Sequence, residues 1–120
     1  MVFPITVNAV DESDYSPMFI ALISHINNLN IEGSAAACTG SASCSNGYSV
    51  KISLYLERYV NNRWTTVSSW NGDKDIYSYV NETITVSSDY NYRVKSVATV
   101  YDENNKIVEA PVLYSNVVIN

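Results

Sequence analysis

The stretch that decides the fold is VKISLYLERYV (residues 50–60), followed by NN (61–62) and RWTTVSSW (63–70). Apolar and polar side chains alternate along residues 50–60, which is the two-residue period of a β-strand with one buried face. Asn adopts positive φ more readily than most residues, so Asn61-Asn62 predicts a two-residue type I′ turn. The stretch therefore predicts an antiparallel hairpin.

The register of this hairpin divides its side chains between two faces. With a two-residue turn, Tyr59 lies opposite Trp64, and Ser53 lies opposite Trp70. We expect the aliphatic side chains to point into the core, namely Ile52, Leu54, Leu56, Val60 and Val67. The aromatic side chains would then point outward, namely Tyr55, Tyr59, Trp64 and Trp70.

Composition extends this interpretation to the whole chain. The 120 residues suffice for a single domain with one core, and the ten tyrosines and many β-branched residues favour an all-β protein. The formal net charge of -5 disfavours binding to phosphate backbones, so nucleic acid is not an expected partner. No run approaches the ~20 apolar residues that a membrane helix needs.

The remaining segments supply further strands around the hairpin. We expect residues 1–18 to form an N-terminal arm, with a strand over residues 2–10, and residues 19–120 to form the core domain. Residues 16–26 suit either a capped helix or a strand, and the asparagines that follow favour a strand over residues 19–31. Residues 34–42 read as a strand of small side chains, which implies bulky side chains packed opposite.

The C-terminal half predicts two long strands. Residues 73–80 read as a polar crossover and residues 83–86 as a short strand, followed by a strand over 90–101. A last strand over 107–119 should bulge or lie on an edge at Pro111, which has no N–H to donate. About seven strands at this spacing predict a two-sheet sandwich.

One part of this pattern resembles a known family. The two-residue steps from Val86 to Ala98 resemble the E–F corner and F strand of fibronectin type III and other immunoglobulin-like domains. The resemblance implies that Tyr92 is the corner tyrosine, with its hydroxyl bonded to backbone upstream. Ser88 and Ser96 depart from the family pattern, in which the corresponding residues are Pro and an apolar residue.

Four further motifs resemble small, uncharacterised secreted proteins of Gram-positive bacteria: ACTG (37–40), ISLYL (52–56), VSSW (67–70) and YRVK (92–95). This resemblance implies export, so we expect a secreted or cell-surface protein whose leader peptide has been removed. In an oxidising compartment an even cysteine count predicts a Cys38–Cys44 disulfide. The pairing requires a bend, because the two residues would lie roughly 20 Å apart in one extended strand.

Residues that carry chemistry are few. His25 is the single histidine, so the chain offers neither a transition-metal ligand set nor a Ser-His-Asp arrangement of suitable spacing. Carboxylates cluster at residues 11–14, 73–75 and 102–103, all in expected turns, where we interpret them as solvated charge rather than a calcium site. We expect no enzyme, no cofactor and no metal.

The aromatic face of the hairpin is the one candidate site. In an immunoglobulin-like sheet the strand over residues 90–101 lies beside the hairpin, which adds Arg93, Lys95 and Tyr101 to Tyr55, Tyr59, Trp64 and Trp70. Exposed aromatic and Arg side chains favour a binding or adhesion module whose ligand is a glycan or a protein. Alternatively, the same residues are cross-strand pairs that stabilise the sheet of a structural cell-surface or matrix protein.

Overall fold

The computed structural model describes residues 20–120, which form two antiparallel sheets packed face to face, with no helix in this range. The nine strands are β1 (Leu22–Glu32), β2 (Ala35–Cys44), β3 (Ser49–Val60), β4 (Arg63–Asn71), β5 (Tyr77–Thr85), β6 (Asn91–Tyr101), β7 (Ile107–Glu109), β8 (Val112–Tyr114) and β9 (Val118–Ile119). The predicted two-sheet sandwich is confirmed. The predicted strand over residues 2–10 lies outside the described residues.

The smaller sheet has the order β1-β2-β5, and the larger sheet has the order β4-β3-β6-β7, with β8 and β9 also paired to β6. The last predicted strand is therefore three short strands along one edge. The break lies at Pro111, whose carbonyl oxygen still accepts a hydrogen bond from the Ala98 N–H at 3.1 Å. A second break, at residues 115–117, separates β8 from β9, so the two breaks raise the strand count from seven to nine.

Strands occur in two places where the sequence left another structure open or predicted one. The helix-or-strand alternative is resolved in favour of β1 from residue 22 onward. The prediction of a crossover over 73–80 is wrong in its second half, because β5 begins at Tyr77 and pairs with β2. Ser78 points inward there, and its Oγ lies 3.1 Å from the Ile52 N–H and accepts its hydrogen bond. A polar side chain at a core position concealed this strand in the sequence.

The two sheets contribute unequal side chains to the core. The buried side chains of β2 are small: Ala36, Cys38, Gly40, Ala42 and Cys44. Facing them are the fully buried Ile52, Leu54 and Leu56 of β3. The approach is close, since a Cβ added to Gly40 would lie 3.0 Å from Cδ1 of Leu54. The expectation that small side chains face bulky ones is confirmed.

The β3–β4 hairpin has the predicted turn but a different register beyond it. Asn61 and Asn62 have φ of 53° and 65°, and Tyr59 lies opposite Trp64. A bulge then shifts the pairing, so that Leu56 lies opposite Ser68 and Leu54 lies opposite Trp70. The extra residue of the bulge is Val67.

This bulge corrects two predictions. Val67 is 37% exposed and does not belong to the core. Trp70 lies opposite Leu54 instead of Ser53 and packs against the core, so its predicted place on the outer aromatic face is wrong. A bulge adds one residue to one strand, which exchanges the faces of every residue that follows it.

The corner tyrosine is confirmed. Tyr92 is fully buried, and its hydroxyl donates a hydrogen bond to the Ser87 carbonyl oxygen at 2.7 Å. That carbonyl lies between β5 and β6, where the chain passes from the smaller sheet to the larger. The bond therefore holds the connection between the two layers.

The predicted Cys38–Cys44 disulfide is wrong. Both cysteines are free and buried, and both lie on the single strand β2. A continuous strand rises about 3.3 Å per residue, which separates the two sulfurs far beyond bonding distance. Burial raises the pKa of the Cys38 thiol to about 11, and that of Cys44 is raised chiefly by burial, so neither is a reactive thiolate at neutral pH.

Candidate functional site

The outer side of the larger sheet brings together aromatic and charged side chains from four strands. Strand side chains alternate, so Tyr55 and Glu57 of β3 share this side with Arg93 and Lys95 of β6. The register places Tyr55 opposite Lys95 and Glu57 opposite Arg93, and Lys95 lies opposite Tyr114 of β8. We call the cluster of Tyr55, Glu57, Tyr59, Trp64, Arg93, Lys95 and Tyr114 the aromatic face.

Arg93 occupies the centre of the aromatic face. Its Cζ lies 4.2 Å from the centroid of the Trp64 ring and 4.2 Å from the centroid of the Tyr114 ring. Its Nε donates to Oε1 of Glu57 at 2.7 Å, and Glu57 is buried. The guanidinium is thus held by two rings and neutralised by one carboxylate, which fixes its position.

Further contacts continue this arrangement on both sides. The Tyr59 and Trp64 rings meet edge to face, with centroids 5.2 Å apart and an interplanar angle of 61°. Nζ of Lys95 lies 4.8 Å from the centroid of the Tyr55 ring. Tyr59 remains 41% exposed and Tyr114 48% exposed, so solvent still reaches both rings. The face is therefore both ordered by side-chain contacts and accessible.

The structure unites some of the predicted site residues and separates others. Tyr55, Tyr59, Trp64 and Arg93 lie together on the aromatic face as expected. Tyr101 is at the far end of β6, opposite Ser49, where Nζ of Lys74 lies 4.2 Å from its ring centroid.

Trp70 instead lines an open groove of about 560 Å³ that also includes residues of β5. The predicted site thus divides into a cluster around Arg93, a separate Tyr101–Lys74 contact, and Trp70 at the groove.

Tyr114 is the member of the aromatic face that sequence reasoning missed. It follows Pro111, and the interruption there leaves the register of β8 against β6 undefined by alternation alone. The sequence signal available was the apolar run Val112-Leu113-Tyr114, which indicates a strand but not its register against β6. Three-dimensional pairing with β6 was needed to place its ring over Arg93.

A second polar cluster, also unforeseen, joins the two sheets. Nε2 of His25 lies 2.8 Å from Oγ of Ser96, and Nδ2 of Asn27 donates to the same Oγ at 2.9 Å and to the Leu113 carbonyl oxygen at 3.0 Å. Burial lowers the pKa of His25 to about 4, so the imidazole is neutral at pH 7. Ser96 is fully buried, and its hydroxyl links β1 to β6.

The described residues include neither a cluster of metal-binding side chains nor a helix suited to cross a membrane. Within residues 20–120 no group of three His, Cys, Asp or Glu side chains is arranged to hold a metal ion. Asp102 accepts hydrogen bonds from the N–H groups of Asn104 and Lys106, which closes its own turn. No helix of bilayer-spanning length and hydropathy occurs in the part of the chain that the structure describes.

Comparison with known proteins returned no relatives. The chain matches no protein-family model, no curated protein and no solved structure.

Proposed function

We propose that this chain is a secreted, non-enzymatic binding or adhesion module that contacts its ligand through the aromatic face. The observation that carries the proposal is the position of Arg93, held between the Trp64 and Tyr114 rings and paired with Glu57. Trp, Tyr and Arg are the residue types that contribute most to binding energy at protein surfaces. Here all three types meet at one point of an exposed sheet.

The ordering of these side chains favours binding over simple exposure. Immobilising a flexible side chain on binding costs roughly 0.5–1.5 kcal/mol, so side chains already ordered in the free protein lose less entropy. Arg93 is fixed by three partners, and Trp64 is contacted by Arg93 and Tyr59. Because Glu57 balances the charge of Arg93, the ligand would contact the aromatic face mainly through its rings. The ligand is a glycan or a protein.

Export is part of the same proposal. The motifs similar to secreted proteins of Gram-positive bacteria support it, as does a polarity supplied largely by Ser, Asn and Tyr rather than by charge. The buried free thiols are compatible with an oxidising compartment, because burial raises the pKa of both and slows their oxidation. The proposed location is the cell surface or the extracellular medium.

The alternative function is a structural cell-surface or matrix protein without a small ligand. The observation in its favour is that most contacts of the aromatic face link neighbouring strands, such as Tyr59 with Trp64 across the hairpin. Cross-strand pairs of this kind each stabilise a sheet by about 0.2–1 kcal/mol. In this case the face would serve the fold itself.

Binding to glycan arrays, peptidoglycan and intact bacterial cells distinguishes the two functions. The variants are Trp64→Ala and Tyr114→Ser, with Asp73→Ala as a matched control in the exposed turn after β4. We expect the wild-type chain to bind at least one of these surfaces, and both aromatic variants to lose binding while the control retains it. Thermal unfolding of each variant confirms that it remains folded. Absence of binding to every surface, or equal binding by all variants, contradicts the proposal and favours the structural role.

A further inference from the structure

The outer side of the smaller sheet is free of charge along nearly its whole length. The outward positions of β1, β2 and β5 carry only Ser, Thr, Asn, Ala, Ile and Tyr until Glu32 at the end of β1. This is unusual in a chain with nineteen charged side chains of the Asp, Glu, Lys and Arg types. Exposed tyrosines on such a side suggest a ligand that is itself uncharged.

This side forms a shallow trough along β2. The outward side chains of β2 are small, whereas those of the flanking strands are larger: Ile26 and Asn28 on β1, and Tyr77 and Tyr79 on β5. The resulting cavity has a volume of about 240 Å³ and runs over Thr39 and Ser41. We call it the neutral trough.

Two tyrosines form one wall of the neutral trough. Tyr77 and Tyr79 are 54% and 62% exposed, more than the tyrosines of the aromatic face. Their rings are stacked with centroids 5.9 Å apart and an interplanar angle of 29°, so the two rings form one aromatic unit beside the trough. Among residues 20–120, no charged group stands over either ring in the way that Arg93 and Lys95 cover the rings on the other sheet.

Hydrogen-bonding side chains lie in the row of paired residues next to the row that contains Tyr79. Across the sheet, Ile26 and Tyr79 flank Ser41, and in the adjacent row Asn28 and Asn81 flank Thr39. An apolar row thus adjoins a row of amide and hydroxyl groups. The two rows lie about 7 Å apart along the strands, since each strand rises about 3.3 Å per residue.

We propose that the neutral trough binds an uncharged polysaccharide chain. A sugar ring has an apolar C–H face, which stacks on an aromatic ring, and an edge of hydroxyl groups, which neutral amides and hydroxyls bind well. The Tyr77–Tyr79 pair provides the stacking surface, and Asn28, Thr39 and Asn81 provide donors and acceptors without charge. None of the described residues that line the trough is a Lys or an Arg, which argues against an anionic polymer.

An extended peptide fits this place less well. A peptide strand adds to a sheet by pairing with unpaired backbone groups at an edge. The floor of the trough is β2, which is paired to β1 on one side and to β5 on the other. Its backbone groups are therefore already used, and only side chains face the ligand.

This site is independent of the aromatic face, because the two lie on opposite outer sides of the sandwich. Variants of one face therefore report on binding through that face, and exposed residues outside both faces serve as controls. Loss of binding through the aromatic face would leave the neutral trough untouched, and the reverse also holds.

Affinity electrophoresis in gels containing uncharged polysaccharides tests the proposal. The gels contain hydroxyethyl cellulose, a β-1,3-glucan, mannan or dextran, with polygalacturonate as the anionic comparison. We expect retardation by at least one uncharged polymer, and a tenfold or greater loss of affinity in Tyr79→Ser and in Tyr77→Ser/Tyr79→Ser. Thr39→Asp, which introduces a carboxylate on the floor, should abolish retardation. Ile107→Ser, which changes an exposed apolar side chain on β7 of the opposite sheet and outside both faces, should leave it unchanged.

The outcomes that overturn the proposal are equally definite. Retardation by none of the uncharged polymers, preference for polygalacturonate, or affinity that survives Tyr77→Ser/Tyr79→Ser in a folded variant each refutes it. Circular dichroism and the unfolding temperature establish folding, and Thr39→Asp offers a second route should the double variant be unstable. Retardation lost in Tyr114→Ser but not in Tyr79→Ser assigns the binding to the aromatic face instead.

Discussion

The larger sheet carries bulky aliphatic and aromatic side chains inward and charged aromatic contacts outward. The smaller sheet carries Ala, Cys and Gly inward along its central strand β2, flanked by Leu29 and Val80, and mostly uncharged side chains outward. The inner sides are complementary in size. Two sheets pack about 10 Å apart, and this spacing leaves no room for large side chains directly opposite each other on both sheets. Leu54 against Gly40 is one such pair.

The outer sides differ for another reason, namely the partners of their tyrosines. On the larger sheet Arg93 and Lys95 stand over aromatic rings, while on the smaller sheet Tyr77 and Tyr79 contact each other. Tyrosine therefore has two roles in one domain, as part of a charged cluster and as an uncharged stacking surface. The kind of surface that an exposed aromatic residue forms therefore depends on the side chains that contact it.

The largest effect should come from a core residue of the larger sheet. Leu54→Ala should lower the free energy of unfolding by about 2–5 kcal/mol, because Leu54 is fully buried and the change leaves a cavity. Val67→Ala, at the exposed bulge, should cost less than about 0.5 kcal/mol. Urea denaturation of both variants measures the difference. Comparable costs would show that Val67 is in the core and that the bulge is absent.

The contact that joins the sheets through His25 should make stability depend on pH. The ordinary pKa of His is 6.5 and the folded value is about 4, so between these values the unfolded chain binds a proton that the folded chain does not. The contribution of the neutral His25 to the free energy of unfolding should therefore be complete above pH 6.5. It should fall by up to about 3 kcal/mol as the pH drops to 4.

The matched variant for this prediction is His25→Gln, which cannot titrate. Urea denaturation at pH 7, 6, 5 and 4 should show the stability difference between wild type and His25→Gln changing in favour of the variant as the pH falls. Carboxylates titrate in both proteins and cancel in the difference. A difference independent of pH would mean that His25 is solvated in the folded protein.

The connection between the sheets should be weakened by loss of one hydroxyl. Tyr92→Phe should cost about 1–1.5 kcal/mol, because the fully buried Tyr92 loses its hydrogen bond to the Ser87 carbonyl oxygen, which keeps a second donor in Nδ2 of Asn120. Tyr90→Phe should have little effect, since the Tyr90 ring beside Arg58 is kept. Chemical denaturation of the two variants gives the comparison. The reverse ranking would assign the corner to Tyr90.

The smallest effect tests the size complementarity of the two inner sides. Gly40→Ala should cost about 1 kcal/mol, because its Cβ would lie 3.0 Å from Leu54 Cδ1, so the buried Leu54 side chain must shift to accommodate it. In the Leu54→Ala background the same change should be neutral or stabilising, since it fills part of the cavity. A double-mutant cycle measures this coupling. Additive costs would show that Gly40 and Leu54 do not limit each other.

The amino-acid sequence by itself determined the elements that depend on nearby residues. The Asn61-Asn62 turn and the alternation along β3 and β6 are local, because turn geometry and side-chain direction follow from the residue types themselves. The corner tyrosine at Tyr92 is also local, since its partner Ser87 is five residues away. Most of the aromatic face followed from these signals.

Only the tertiary structure decided the features that join distant segments. The bulge at Val67 allows Trp70 to pack against the core, a benefit that hairpin alternation does not reveal. The His25–Ser96 bond links residues 71 positions apart, and Tyr114 reaches Arg93 only after the break at Pro111. In each case the stabilising free energy comes from packing or hydrogen bonding between distant strands. The residue pattern of a single strand does not indicate which strands these are.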